Sequence, residues 1–191
     1  MSKITFADVV TEELQFDSTL PAEKLVLDLI NTPWVQRLRD ISQTGNTRLV
    51  YMFSEHSRFG HSLGVAHLAC RLLRRLQGES KEVSEYASAI AAAALLHDIG
   101  HLAPGSHTAF KIWFPSGIDQ HENIGLKIIT EDPIINQILS EVSADLPNLV
   151  SKILSEDPSL PAWTWQIISG SGWNVDRGNW CIADSILAGV S

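Results

Sequence analysis

The pentapeptide His97-Asp98-Ile99-Gly100-His101 closes an alanine-rich apolar run, Ala89 to Leu96. A carboxylate beside an imidazole at the end of a buried helix is costly unless something compensates its charge. A divalent metal is one compensation. Histidine with carboxylate suits Mn, Fe, Zn or Mg better than a soft metal. These residues alone also allow a plain helix cap, with a protonated His97 placed favourably against the helix dipole. Adjacent residues do not share a helix face. His97 and Asp98 therefore reach one ion only if the helix ends there, and Gly100 is suited to end it.

The elements that must position this segment read as helices. His61, Val65, Leu68, Ala69, Leu72 and Leu76 recur at steps of three and four, which predicts a helix with His61 on its buried stripe. His67 falls off that stripe and reads as a surface or supporting residue without a functional role, as does His56. After Gly78-Glu79-Ser80 a second helix runs from about Lys81 to Leu96 and delivers His97 and Asp98. Upstream, Ile4 and Phe6 alternate like a short strand, and Pro21-Ala22-Glu23 opens a helix through Ile30. Thr32-Pro33 has the N-cap and N1 pattern of another helix, expected to run through Ile41 and stop near Gly45. Residues 46–57 and 101–120 read as loops. Helices are expected around 121–130, 134–141, 146–155 and 162–169, and a last one from near Asp176 to Leu187. Trp163 and Trp165 read as packing or an oligomer contact. The pattern predicts an N-terminal segment, 1–21, and a single all-α domain over 22–191, with short connections between antiparallel neighbours.

At 191 residues and 45% hydrophobic content the chain can bury one sizeable core. Charged residues make up only 19%, which fits a compact, well-buried protein. The formal net charge of −8 argues against coating nucleic acid. It still permits a small phosphorylated substrate, because a metal and a few local cations can reverse the field inside a pocket. Cys70 and Cys181 both lie in apolar helical patterns and read as buried free thiols of a reducing compartment. Met1 to Val10 lacks the apolar core of a signal peptide. The run Ala89–Leu96 is far short of the roughly 20 residues that span a bilayer. A cytoplasmic protein without a membrane segment is expected.

Four segments in order carry a family resemblance: Asn31 to Arg39, Arg58 to Val65, Leu96 to His101, and Asn174 to Arg177 with Trp180 and Asp184 beyond it. Together they resemble the HD-domain phosphohydrolases, and within these the dNTP triphosphohydrolase branch, which includes the dGTP triphosphohydrolases and the SAM-and-HD-domain enzyme. The likeness covers roughly residues 22 to 190 and implies an all-α HD-domain helical bundle. It implies one divalent metal (Mn, Fe or Zn, with Mg possible, also with the substrate triphosphate) held by His61, His97, Asp98 and Asp176. It implies that Arg58 and Arg177 grip phosphate oxygens and that His101, His107 and His121 line the phosphate path. His121-Glu122 resembles the family's His-Glu pair, which makes His101, His121 and Glu122 the catalytic candidates. Gln43 approaches the nucleoside, Trp180 replaces a tyrosine near the sugar, and Asp184 contacts the sugar. The implied reaction converts a dNTP to a deoxynucleoside and triphosphate through a metal-activated water. The partner is a small nucleotide, and the family implies a homo-oligomer.

The chain also departs from the family pattern. Gln-Leu-Gly is here Gln43-Thr44-Gly45, and the missing leucine bears on exclusion of a 2′-hydroxyl. The family's carboxylate that orients the His-Glu imidazole is replaced by Phe110, so that support is lost or is supplied by Asp119. The loop from His101 to His107 is one residue longer than usual. Asp-Tyr in the last motif becomes Asn179-Trp180, and the family continues past the position of Ser191 into helices that finish the pocket. These departures leave two other readings: an HD-type phosphomonoesterase or nucleotidase acting on a smaller substrate, and a metal- and nucleotide-binding sensor without turnover.

Overall fold

A computed structural model describes residues 2–78, 80–103 and 105–190. Two strands, β1 (Lys3–Asp8) and β2 (Glu12–Asp17), form an antiparallel hairpin with Phe6 opposite Leu14. The remaining described elements are helical: α1 (Pro21–Ile30), α2 (Pro33–Arg37), α3 (Arg58–Gln77), α4 (Lys81–Leu96), α5 (Thr108–Trp113), α6 (His121–Glu131), α7 (Pro133–Val142), α8 (Leu146–Leu154), α9 (Trp163–Ser169) and α10 (Val175–Ala188). The fold is an all-α bundle that carries one small hairpin.

Proline in the first turn opens α1, α2, α7 and α8, where a missing N–H costs nothing. Side chains cap three starts, α7 again among them. Ser57 accepts from Gly60 N in α3, Asp132 accepts from Ile134 N and Ile135 N in α7, and Asn174 accepts from Arg177 N in α10.

The centre of the core is α4. Its alanines from Ala89 to Ala94, with Ile90 between them, are buried on every side. Such small side chains let α3, α1 and α8 approach α4 at once. His61, near the start of α3, meets His97, just past the end of α4, so the two helices run antiparallel. Gly100 completes the turn after α4. A Cβ there would stand 2.0 Å from His121 O and 2.5 Å from Gly125 N, so only glycine lets α6 pack against this turn. Arg37 donates to the carbonyls of Ile99 (2.9 Å) and His101 (2.7 Å), which holds the turn from the other side.

Several expectations are corrected here. The N-terminal segment is a two-stranded hairpin rather than a single strand. Its inner residues, Leu14 and Phe16, are buried against the bundle. Phe16 meets His67 edge-on at 5.6 Å between ring centroids, so His67 is buried at 4% exposure instead of lying at the surface. Cys70 is buried, its thiol pushed up to about 12 by burial, whereas Cys181 is exposed on the outer face of α10. The helix opened at Pro33 ends at Arg37 and tightens into a 3-10 turn, Leu38–Asp40. The chain is then drawn out by an antiparallel bridge between Ser42 and Ser57. The segments read as loops contain a 3-10 turn, Gly45–Leu49, and the short helix α5.

The buried imidazole of His67 sets a pH dependence. Its pKa is pushed down to about 4 by burial and by the charges of Arg71 and Arg74. The unfolded chain binds this proton near pH 6.5. The folded state therefore loses stability as pH falls from about 6.5 toward 4, because the unfolded state binds the extra proton. Between pH 7 and pH 5 the loss from this residue is about 2 kcal/mol. Urea unfolding at both pH values is expected to show a loss in the wild type that is smaller by that amount in His67→Leu.

Candidate metal centre and cavity

Two imidazoles face each other where the start of α3 meets the end of α4. His61 Nδ1 lies 2.9 Å from Asn179 Oδ1 of α10, and His97 Nδ1 lies 2.9 Å from the carbonyl of Ala94. Both partners are acceptors, so both Nδ1 atoms are assigned the proton and both Nε2 atoms present lone pairs. These Nε2 atoms are 3.2 Å apart. Asp176 Oδ1, on the first turn of α10, lies 3.0 Å from His61 Nε2 and 3.9 Å from His97 Nε2. Three acceptors converging with no donor between them are the chemistry of a cation site, and His61, His97 and Asp176 form a set with metal-ligand spacing.

Asp98 stands at the edge of this group. Its Oδ2 takes Arg58 NH1 at 2.6 Å and lies 3.8 Å from His61 Nε2. Its Oδ1 lies 3.3 Å from His101 Nε2 and 3.6 Å from His97 Nε2. Both members of the Arg58–Asp98 pair are buried, and Arg58 also donates to Gly105 O at 2.9 Å. The guanidinium is thus engaged with the protein's own carboxylate and loop.

The electrostatics follow from this packing. Burial opposes the charge on Asp98, but His97, Arg58 and His101 outweigh it and hold the carboxyl well below the usual range. Asp176 is lowered too, with burial again opposing and His61 and His97 prevailing. For His61, burial disfavours the charged ring, yet Asp176 and Asp98 raise its pKa. His101 is pushed down to about 4 because burial outweighs its contact with Asp98.

A second imidazole group lies next to the first. His101 stacks on His121 at 4.1 Å between centroids, and His107 meets both rings edge-on. One carboxylate organises them. Asp119 accepts from His121 N (3.0 Å) and from His121 Nδ1 (2.7 Å), and it pairs with His107 Nδ1. Burial opposes the charge on Asp119, but the bonds from His121 N, His107 and the His121 ring outweigh it and lower the carboxyl's pKa. Phe110 is fully buried and stacks on Phe114, so its position offers no carboxylate to this group.

His61, His97, Asp98, Asp176, Arg58 and the three imidazoles of the second group line one cavity of about 560 Å³. Glu122 lies on its wall beside His121. Leu126, Ile153, Leu154 and Ile168 form an apolar wall. Asp176, Trp180 and Asp184 recur every four residues, so one face of α10 runs from the candidate metal group to the far end of the cavity, where Gln43 also lies. Arg177 points elsewhere. It donates to Ser171 O (3.0 Å) and Gly172 O (2.8 Å), outside the cavity lining. Arg58 is the only Arg or Lys among the described lining residues.

Two further residues have local roles that the sequence did not assign to them. Asn179 orients His61, and its side chain fills the space beside Gly64, where a Cβ would stand 2.3 Å from Asn179 Nδ2. His56 places Nε2 3.0 Å from Asp184 Oδ1. Asn179 lies three residues after Asp176, on the same side of a helix, which is the one clue the sequence held. His56 precedes its helix and has no periodicity to read.

The chain is similar to several known proteins. The HD domain family pattern matches residues 58–156. An uncharacterized protein, YwfO, of Bacillus subtilis is 36% identical over 172 residues, covering 88% of this chain and 38% of that protein. A deoxynucleoside triphosphate triphosphohydrolase SAMHD1 homolog of Dictyostelium discoideum is 32% identical over 181 residues, covering 87% of this chain and 34% of its own length. The crystal structure of a hypothetical protein from Aquifex aeolicus superimposes with a TM-score of 0.79 at 29% identity, covering 99% of this chain and 47% of that one. The chain thus spans less than half the length of the relatives it matches. No helix among the described residues is long and apolar enough to cross a membrane.

Removing the amide that fixes the His61 tautomer should weaken a metal without removing a ligand. Asn179→Ala is expected to lower divalent-metal affinity about 10- to 100-fold. Equilibrium dialysis against Mn²⁺ with metal analysis measures this, and unchanged affinity would show that Asn179 does not orient His61.

Proposed function

This chain belongs to the HD domain family, and from that premise we propose that it is a metal-dependent phosphohydrolase acting on a nucleotide, with a dNTP as substrate and a deoxynucleoside and triphosphate as products. The observation that carries the reading is that the candidate metal group and the His101–His107–His121 group open into the same cavity. His61, His97 and Asp176 would hold the ion, with Asp98 beside them. A bound divalent ion supplies Lewis-acid charge and lowers the pKa of a coordinated water.

The protein's own residues do the rest. Arg58 keeps Asp98 ionised and fixed in direction by its hydrogen bond. Asp119 accepts the Nδ1 protons of His107 and His121, which aims their Nε2 atoms away from Asp119. From there an imidazole can hold or pass a proton at a phosphate oxygen or at the attacking water. Glu122 adds a carboxylate on the same wall. Trp180 offers a flat face and Asp184 and Gln43 polar groups at the end away from the metal group, which suits a sugar and base. The dNTP triphosphohydrolase name of the Dictyostelium relative supports the same substrate class.

One observation favours a second reading, a phosphomonoesterase acting on a smaller substrate. A triphosphate carries several negative charges, yet Arg177 faces away from the cavity and Arg58 is committed to Asp98. The remaining cationic capacity of the lining comes from histidines and a bound ion, which suffices for a single phosphate.

Purified protein supplied with Mn²⁺ and tested separately against dNTPs, rNTPs and a monophosphate distinguishes the two. Inorganic triphosphate released from a dNTP is the expected product. Free phosphate from the monophosphate alone would select the second reading. Binding without any product would make the domain a sensor. His97→Ala and Asp98→Ala are expected to lose both bound metal and turnover, and hydrolysis retained by a metal-free variant would overturn the proposal. Asp119→Asn is expected to keep the metal but lower kcat about 10- to 100-fold, the usual cost of losing a carboxylate that orients a working histidine. Single-turnover rates and metal content separate these two effects.

A further inference from the structure

The cavity holds a second group of ligand atoms, and all of them are nitrogen. One ring nitrogen each from His101, His107 and His121 lies within 4.8 Å of the other two. The rings come from the turn after α4, the residue before α5 and the first residue of α6. His101 and His121 are stacked with their planes 18° apart, and His107 stands edge-on to both, at 4.9 Å and 5.3 Å between centroids. His101 is 1% exposed, so the protein interior fixes its position.

The surrounding contacts show which nitrogens are committed. Asp119 takes Nδ1 of His121 at 2.7 Å and pairs with Nδ1 of His107, which turns both Nε2 atoms away from it. Asp98 Oδ1 stands 3.3 Å from His101 Nε2, and the buried Nδ1 of His101 has no hydrogen-bond partner. Each ring thus has a carboxylate at one nitrogen and keeps the other for a ligand. Metal-binding histidines have this pattern: one N–H goes to a carboxylate and the opposite lone pair to the ion. A buried polar atom without a partner is uncommon, and an ion is one way to complete it.

The donor set selects the ion. Mg²⁺ and Mn²⁺ prefer oxygen ligands, whereas imidazole suits Zn²⁺. Zinc also takes three histidines with a fourth position open. The His61–His97–Asp176 group contains a carboxylate and so suits Mn²⁺ better than three imidazoles do.

We propose that His101, His107 and His121 form a second ion site in this cavity, selective for Zn²⁺ over Mn²⁺ and separate from the His61–His97–Asp176 group, and that Zn²⁺ bound there blocks turnover. An ion on these rings takes the lone pairs that would otherwise serve a phosphate oxygen or a water. The site itself stands on the geometry. The blocking role rests on the phosphohydrolase reading given above.

Equilibrium dialysis of the full chain against Zn²⁺, with metal analysis, is expected to give two ions per chain. His97→Ala and His107→Ala should each keep one, and the double variant none. The His107 side chain is 62% exposed, so its removal leaves the core intact. Asp119→Asn should weaken one of the two Zn²⁺ ions about 10- to 100-fold. Co²⁺ bound by His97→Ala should show the visible absorption of a tetrahedral site, and the double variant should lack it. In protein kept in excess Mn²⁺, added Zn²⁺ should inhibit dNTP hydrolysis while one Mn²⁺ per chain is retained. The half-inhibiting Zn²⁺ concentration should rise about 10- to 100-fold in Asp119→Asn.

One Zn²⁺ per chain in the wild type, or two in His107→Ala, would overturn the site. Loss of Mn²⁺ on inhibition, or a half-inhibiting concentration unchanged in Asp119→Asn, would place the inhibition at the first group and overturn the blocking role. A wild type that hydrolyses no nucleotide with Mn²⁺ would overturn the proposed function and the blocking role together, and the Zn²⁺ count would still decide the site.

Discussion

The arrangement depends on one buried charge. Asp98 is 6% exposed and its partner Arg58 is 4% exposed, so neither can be left without the other. Desolvating a carboxylate costs several kcal/mol, and breaking such a pair by removing one partner is strongly destabilising. Several local features serve this requirement. Helix α3 begins at Arg58, so the guanidinium leaves the first turn toward the end of α4. The chain turns at once after Asp98, with His101 brought back onto the same carboxylate. Gly105 turns its carbonyl to Arg58, and it does so with φ of +93°, a conformation open to glycine and strained for other residues. The loop after the HD dipeptide is therefore shaped by the need to surround one charge, and its histidines are placed as a consequence.

That charge also sets the character of the cavity. Asp98, Asp176, Asp184 and Glu122 all line it, against a single arginine. In a protein of net charge −8, such a space repels a phosphate ester unless positive charge is brought in. A divalent ion at the His61–His97–Asp176 group is the group able to invert this field, since a bound ion is the largest local charge in a site of this kind. Asp98 and Asp119 stand against the nearby histidines, with His101 beside Asp98 and His107 and His121 on Asp119. The apolar wall from α6, α8 and α9 makes the same interactions stronger by limiting water.

Much of this was legible in the sequence because helices advertise their buried faces. The recurrence that placed His61 on an apolar stripe was enough to bring it to the end of α4, since the short connection at 78–80 forces α3 and α4 to be antiparallel neighbours. The spacing of Asp176, Trp180 and Asp184 likewise put three cavity residues on one helix face. Other features had no local signature. His67 lies off the stripe that faces α4, and only the hairpin, which arrives from far earlier in the chain, buries it under Phe16. Cys181 sits among apolar residues that α10 leaves exposed, so composition alone misjudged it. The helix opened at Pro33 stops early because Ser42 pairs with Ser57, a contact across fifteen residues that no propensity records. Arg177 carries a motif but also a nearby pair of carbonyls, and these claim its guanidinium.

The presence of Phe110 where the family pattern has a carboxylate bears on how the proposed site would hold its histidines. Position 110 belongs to a short helix whose inner face packs into the protein, and an aromatic ring is stable there, stacked on Phe114. A carboxylate in that place would have to be desolvated. Asp119 lies instead two residues before His121, where its Oδ1 also takes the free backbone N–H at the start of α6. An anion is favoured at a helix N-terminus for that reason. The same oxygen holds the His121 ring, and the other oxygen holds His107. The carboxylate thus gains a helix-start bond and orients two imidazoles from a half-exposed position, at less desolvation cost than a buried one would carry. What constrains this part of the chain is an acceptor within reach of two Nδ1 atoms, and more than one position along the loop can provide it.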